Sequence, residues 1–236
     1  MDKIVAIARK ETTVNLKSPV SYILMCLAII VFNIFFFIII DENREATLRD
    51  MFTLMEFLFV FIIPLLTMKT VAHENETGTM EFLKTTPTTN TAIVAGKYLG
   101  VVIYFTTMLA LTFPYYVIIE VFANPDRMAI FAGYFGIWLE GLFFLAIGVM
   151  TSVWTKSQVL AAMSSYILIL ALYFAKVGTK YLQGVPHDIL SFLSVMGHSE
   201  SFFQGLLTSS DIMYFISGTL FCLTIARLST ENRIWK

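Results

Sequence analysis

The chain has 236 residues, of which 57% are hydrophobic and only 14% charged, with a formal net charge of −1. Soluble domains carry about 25% charged residues, so a soluble enzyme is the first class excluded. The near-neutral charge offers no basic field for nucleic acid, and the length suits one membrane domain with little left for a soluble one.

Residues 1–18 form the first element. Ile4, Val5, Ile7, Ala8, Val14 and Leu16 alternate with Lys3, Arg9, Lys10 and Lys17. The pattern predicts a basic amphipathic helix on the inner membrane surface; a solvated basic tail is the plainer alternative. Residues 19–236 are read as one membrane domain. A span needs about 20 apolar residues at about 1.5 Å rise each. Six segments qualify, at about 19–40, 52–71, 91–121, 128–154, 158–176 and 212–228. Pro114 is expected to kink the third. The first run is followed by Asp41-Glu42-Asn43-Arg44-Glu45, where a signal peptide would carry small residues, so it is expected to stay as an anchor. Cys26 and Cys222 lie in apolar runs and read as small hydrophobes.

Lys and Arg set the orientation. With the N-terminus inside, Lys3, Arg9, Lys10, Lys17, Lys69, Lys84, Lys97, Lys156, Arg227, Arg233 and Lys236 are cytoplasmic. Only five of the 16 basic residues then lie outside. Both termini are therefore expected in the cytoplasm. The outer segment 177–211 is too long for a simple connection and too apolar for a linker. Its pieces 189–193 and 202–207 predict short helices dipping into the outer interface, which is tolerated where protein covers them.

The loop 73–90 carries the most information. Gly78 precedes Thr79-Met80-Glu81-Phe82-Leu83-Lys84, about two helical turns that Pro87 stops. Thr88, Thr89 and Asn90 offer caps for the third span. Met80, Phe82 and Leu83 give an apolar edge, and Glu74, Glu76 and Glu81 give carboxylates. Such a helix, at about 74–84, suits a groove on a partner; a solvated loop with incidental charges is equally compatible.

The run Glu74-Asn75-Glu76-Thr77-Gly78-Thr79-Met80-Glu81-Phe82-Leu83, followed by Thr86-Pro87 and Ile93-Val94-Ala95-Gly96-Lys97-Tyr98-Leu99-Gly100, resembles the signature of ABC-2 type permeases. Lys17-Ser18-Pro19-Val20-Ser21-Tyr22, Pro64-Leu65-Leu66-Thr67-Met68-Lys69 and Ala146-Ile147-Gly148-Val149-Met150-Thr151-Ser152 are similar to other parts of that family. The segment Gly197-His198-Ser199-Glu200-Ser201-Phe202-Phe203-Gln204-Gly205 is similar to the gliding-motility and copper-enzyme-maturation permeases. The resemblance implies an all-α integral membrane fold of the type V ABC exporter kind with six spans. It implies a connector helix carrying Ile4, Ile7, Arg9 and Lys10. It also implies a coupling helix carrying Glu74, Glu76, Gly78, Thr79, Met80, Glu81, Phe82 and Leu83. Partners implied are two copies of an ABC ATPase, which would bind ATP and Mg, and a second permease of the same or a homologous chain. The setting implied is the lipid bilayer of a bacterial inner membrane, and an outer accessory protein would fit.

No cofactor is expected in this chain. A P-loop needs G-x-x-x-x-G-K-[ST], and Gly96-Lys97-Tyr98 lacks both the earlier glycine and the Ser/Thr. His187 and His198 lack a ligand cluster, so no metal site is expected. Inside the spans, Asn33, Glu56 and Glu140 stand out, because intramembrane polar groups face a bundle interior or a cavity. Glu140 can line a path or bond another helix, and Glu56 can reach the outer interface. Gly133, Gly136, Gly141 and Gly148 are expected to let helices approach closely. The leading expectation is an exporter subunit. A mechanotransmission subunit that moves an outer partner without cargo is the alternative. An intramembrane enzyme would need paired catalytic groups, which the sequence lacks.

Overall fold

A computed structural model describes residues 2–43, 47–79, 89–123 and 125–232. Twelve helices are named here: α1 (Asp2–Lys17), α2 (Pro19–Asn43), α3 (Arg49–Thr67), α4 (Ala72–Thr77), α5 (Asn90–Ala110), α6 (Phe113–Phe122), α7 (Arg127–Trp154), α8 (Gln158–Tyr173), α9 (Ala175–Thr179), α10 (Val185–Leu193), α11 (Val195–Phe203) and α12 (Ser209–Asn232). Long apolar runs become helices because a spanning backbone must satisfy its own hydrogen bonds.

Five helical stretches among the described residues are long and apolar enough to cross a membrane: Pro19–Asp41, Arg49–Glu76, Asn90–Phe122, Arg127–Trp154 and Ser209–Glu231. The stretch expected at 158–176 differs. It is the 16-residue helix α8, about 24 Å at the usual rise, followed by the one-turn helix α9 after Phe174 (φ −81°, ψ 0°). The third stretch is interrupted at Leu111 and Thr112, just before Pro114. Thr89 caps α5 by accepting from the Ala92 N–H, and Asp126 caps α7 by accepting from Met128 and Ala129.

The centre of the bundle is α7, which packs against α3, α5, α8, α11 and α12. Its glycines meet neighbouring side chains directly. A Cβ at Gly133 would strike the Phe52 ring, at Gly136 Phe202, at Gly141 Phe105, and at Gly148 Thr67. Close approach follows from the missing side chains, as expected. In the most apolar window of α7, 72% of residues are buried; in α2 and α12 only 17% are. The peripheral α2 shows Ile23, Leu27, Ile30, Ile34 and Phe37 as one outward stripe.

The ends of the bundle can be matched by contacts. Trp154, at the end of α7, donates its indole N–H to Ser229 near the end of α12. Thr155 accepts from Asn75 of α4 at 3.1 Å. The α1 helix packs against the start of α5. These elements share one end, called here the loop end. The α10 and α11 helices lie at the other.

Candidate functional site

At the loop end, α1 seats on α5 because α5 offers two glycines one turn apart. A Cβ at Gly96 would lie 2.7 Å from Ile7 Cβ and 3.1 Å from the Ile4 carbonyl oxygen; one at Gly100 would overlap Glu11 Cβ. Positions 4, 7, 8 and 11 lie on one helical face. Ala8 and Glu11 on that face are buried at 6% and 8% exposure, and Thr12 bonds the Ala8 carbonyl at 2.8 Å.

A charged residue cannot sit in such a contact unpaired. Glu11 meets Lys97, whose ammonium lies 3.0 Å away and is only 1% exposed. Lys97 also pairs with Glu74 of α4 at 2.9 Å and donates to the Thr70 carbonyl. Lys10 approaches the other oxygen of Glu74 at 3.8 Å. One buried lysine thus joins α1, α4 and the start of the third stretch, and two carboxylates offset the cost of desolvating it.

The α4 helix is fixed from the opposite side as well. Ser152 Oγ accepts from the Val71 and Ala72 N–H groups at 3.0 and 2.9 Å and donates to the Met68 carbonyl at 3.2 Å. Gln158 of α8 donates to Glu76 at 2.9 Å and lies 3.1 Å from His73 Nδ1. Gly78 closes α4 with φ +73°, a left-handed conformation in which glycine carries no Cβ penalty. The helix expected at about 74–84 begins earlier, at Ala72, and is interrupted at Gly78. Met80, Glu81, Phe82 and Leu83 lie outside the described residues. Thr79 is exposed, with its hydroxyl 2.9 Å from that of Thr77.

The residues expected on a connector helix divide. Ile7 and the Ile4 backbone face α5, Lys10 turns toward α4, and Arg9 is exposed. Glu11, Ser152 and Gln158 were not singled out from sequence. Glu11 alone left a signal: it continues the apolar stripe 4, 7, 8 with an acid.

The intramembrane residues lie elsewhere and do not form one site. Asn33 bonds its own helix, at the Ile29 carbonyl. Glu140 is fully buried in α7. Glu56 does not reach the outer interface as an exposed group: it is 2% exposed, because α11 folds over it and sets Ser199 Oγ 2.8 Å from its carboxylate. Above Glu56, Glu200 pairs with Lys176 and, at 3.9 Å, with Arg49, around a cavity of about 140 Å³. The bond and charge of Lys176 hold the Glu200 carboxyl below its ordinary range.

A family model described as ABC-2 family transporter protein matches residues 5–215. The chain belongs to the ABC-2 transporter family. It is thus a multi-pass membrane protein and a permease component of an ABC transporter. The match takes in the Lys97 hub and all of α4, α10 and α11. It does not single out the gliding-motility or copper-enzyme-maturation permeases. No curated protein matches the chain.

Proposed function

We propose that this ABC-2 permease is the membrane subunit of an exporter driven by two copies of a separate ATPase, which bind ATP and Mg. The ATPase docks on the segment 74–84, and α1 acts as the connector helix beside it. The observation that carries this reading is the Lys97 hub. A push on α4 is met by Glu74–Lys97–Glu11 and by Ser152, so it reaches α1, α5 and α7 together. That is the linkage a rigid-body switch between two packed states needs.

The permease crosses the membrane six times, with both termini cytoplasmic, in a bacterial inner membrane. Support for the sixth crossing is topological. The α7 helix ends at the loop end, and α12 must return there. Between them α8 runs along α3, from Gln158 beside His73, past Tyr166 donating to the Phe61 carbonyl, to Tyr173 beside Phe57. The shortness of α8 is met by α9 and the outer helices. A second permease, of the same or a homologous chain, covers part of the peripheral surface left by α2 and α12.

The test is co-purification of the permease with its ATPase, with Glu76→Lys and Glu81→Lys as disrupting variants. Stable association that either reversal weakens at least ten-fold is expected. Failure of every ABC ATPase to associate with a folded permease would remove this reading.

A further inference from the structure

Beside the Lys97 hub, α1, α2, the end of α3 and α4 enclose a groove of about 710 Å³. Its lining is of two kinds: Val20, Leu24 and Leu65 supply apolar wall, and Lys10, Lys69 and Ser18 supply polar groups. The groove's carboxylates, Glu11 and Glu74, both turn to Lys97. The Lys10 side chain remains 61% exposed, and Lys69 is exposed. The charge offered to an occupant is therefore positive. Val20 and Leu24 stand three positions from Ile23 and Leu27, the exposed start of the outward stripe of α2, so the apolar lining of the groove adjoins that stripe.

We propose that this groove binds one phospholipid with a net negative headgroup, its phosphate between Lys10 and Lys69 and its upper acyl chain against Val20, Leu24 and Leu65. The proposal rests on the cytoplasmic placement of the loop end, which makes this an inner-leaflet lipid. Basic pockets between spans on that side recognise anionic headgroups. The apolar wall disfavours a free phosphate or nucleotide, which would leave it uncovered. Because Lys10 also faces Glu74, a bound phosphate would loosen its pull on α4 and tune the coupling segment.

The permease alone, without ATPase, is extracted from nanodiscs of phosphatidylglycerol and phosphatidylcholine, and retained lipid is counted by native mass spectrometry. One phosphatidylglycerol per chain is expected in preference to phosphatidylcholine. Lys10→Ala and Lys69→Ala should each lower retention about five-fold. Val20→Trp, at a site 43% exposed, should fill the wall and abolish retention without unfolding the chain, which size-exclusion elution checks. Lys156→Ala, an exposed lysine at the same end outside the groove, should leave retention unchanged. Retention that ignores the groove variants, that falls equally with Lys156→Ala, or that soluble glycerophosphoglycerol displaces would overturn the proposal. A permease that binds its ATPase but keeps no anionic lipid loses only this inference. One that keeps the lipid but binds no ATPase loses the coupling reading instead.

Discussion

Two ion-pair clusters sit at opposite ends of the bundle. At the loop end Lys97 is 1% exposed, between Glu11 and Glu74. At the opposite end Glu200, Lys176 and Arg49 are 45%, 39% and 49% exposed. The same chemistry has different weight in the two places. A buried pair is expensive to break because the remaining charge stays desolvated, whereas an exposed one is screened by water and salt. The loop end is thus built as a rigid joint, and the opposite end as a contact that can open and close at little cost.

Removing the centre of the joint should have the largest effect. Lys97→Ala leaves the buried Glu11 and the half-buried Glu74 without their shared cation and should destabilise the protein by about 3 kcal/mol, read as thermal unfolding in detergent. A loss below 1 kcal/mol would show that the hub is solvated. Gly100→Val comes next, since its side chain would displace Glu11; overpacking of this kind costs about 1–3 kcal/mol. It should also free α1, so trypsin should cut after Arg9 or Lys10 faster than in the parent. Unchanged cleavage would mean that α1 does not depend on this seat.

Ser152→Ala removes one acceptor from two backbone N–H groups and should cost about 1–3 kcal/mol. Hydrogen exchange at Val71 and Ala72 reports it, and unchanged protection there would sink the idea that Ser152 anchors α4. The smallest effect belongs to the Glu200 cluster. Glu200→Gln should change stability by less than about 1 kcal/mol, with the difference shrinking further at high salt. The sign with pH follows from the lowered Glu200 value. Its contribution is full above the unfolded carboxylate range and fades as pH falls through the lower folded value. A contribution that grew on acidification would contradict the pairing with Lys176.

The contrast also separates what was legible in the sequence from what was not. Five of the six expected spans correspond to long apolar helices, because hydropathy over 20 residues is a strong local signal. The span expected at 158–176 was harder to read, since α8 stops at Tyr173 and a separate turn, α9, follows it. The glycines of α7 and the Thr89 cap were legible for the same local reason. Glu56 was not: its burial depends on Ser199, 143 positions later, and no local pattern announces that α11 covers it. The Lys97 hub was half legible. Gly96 and Lys97 belong to the family signature, but their partner Glu11 lies 86 positions earlier. Its only trace was an acid continuing an apolar stripe.

The glycine seat for α1 has a consequence for biogenesis. Thr12 reaches the Gly100 carbonyl across 88 positions of chain. At a synthesis rate of about 5–20 residues per second, α1 is made roughly 4–18 s before its seat exists. During that interval two spans are inserted, and the newborn helix needs somewhere to keep its apolar stripe. Its basic residues make the anionic membrane surface the natural waiting place. The amphipathic character of α1 suits that wait as well as the finished contact.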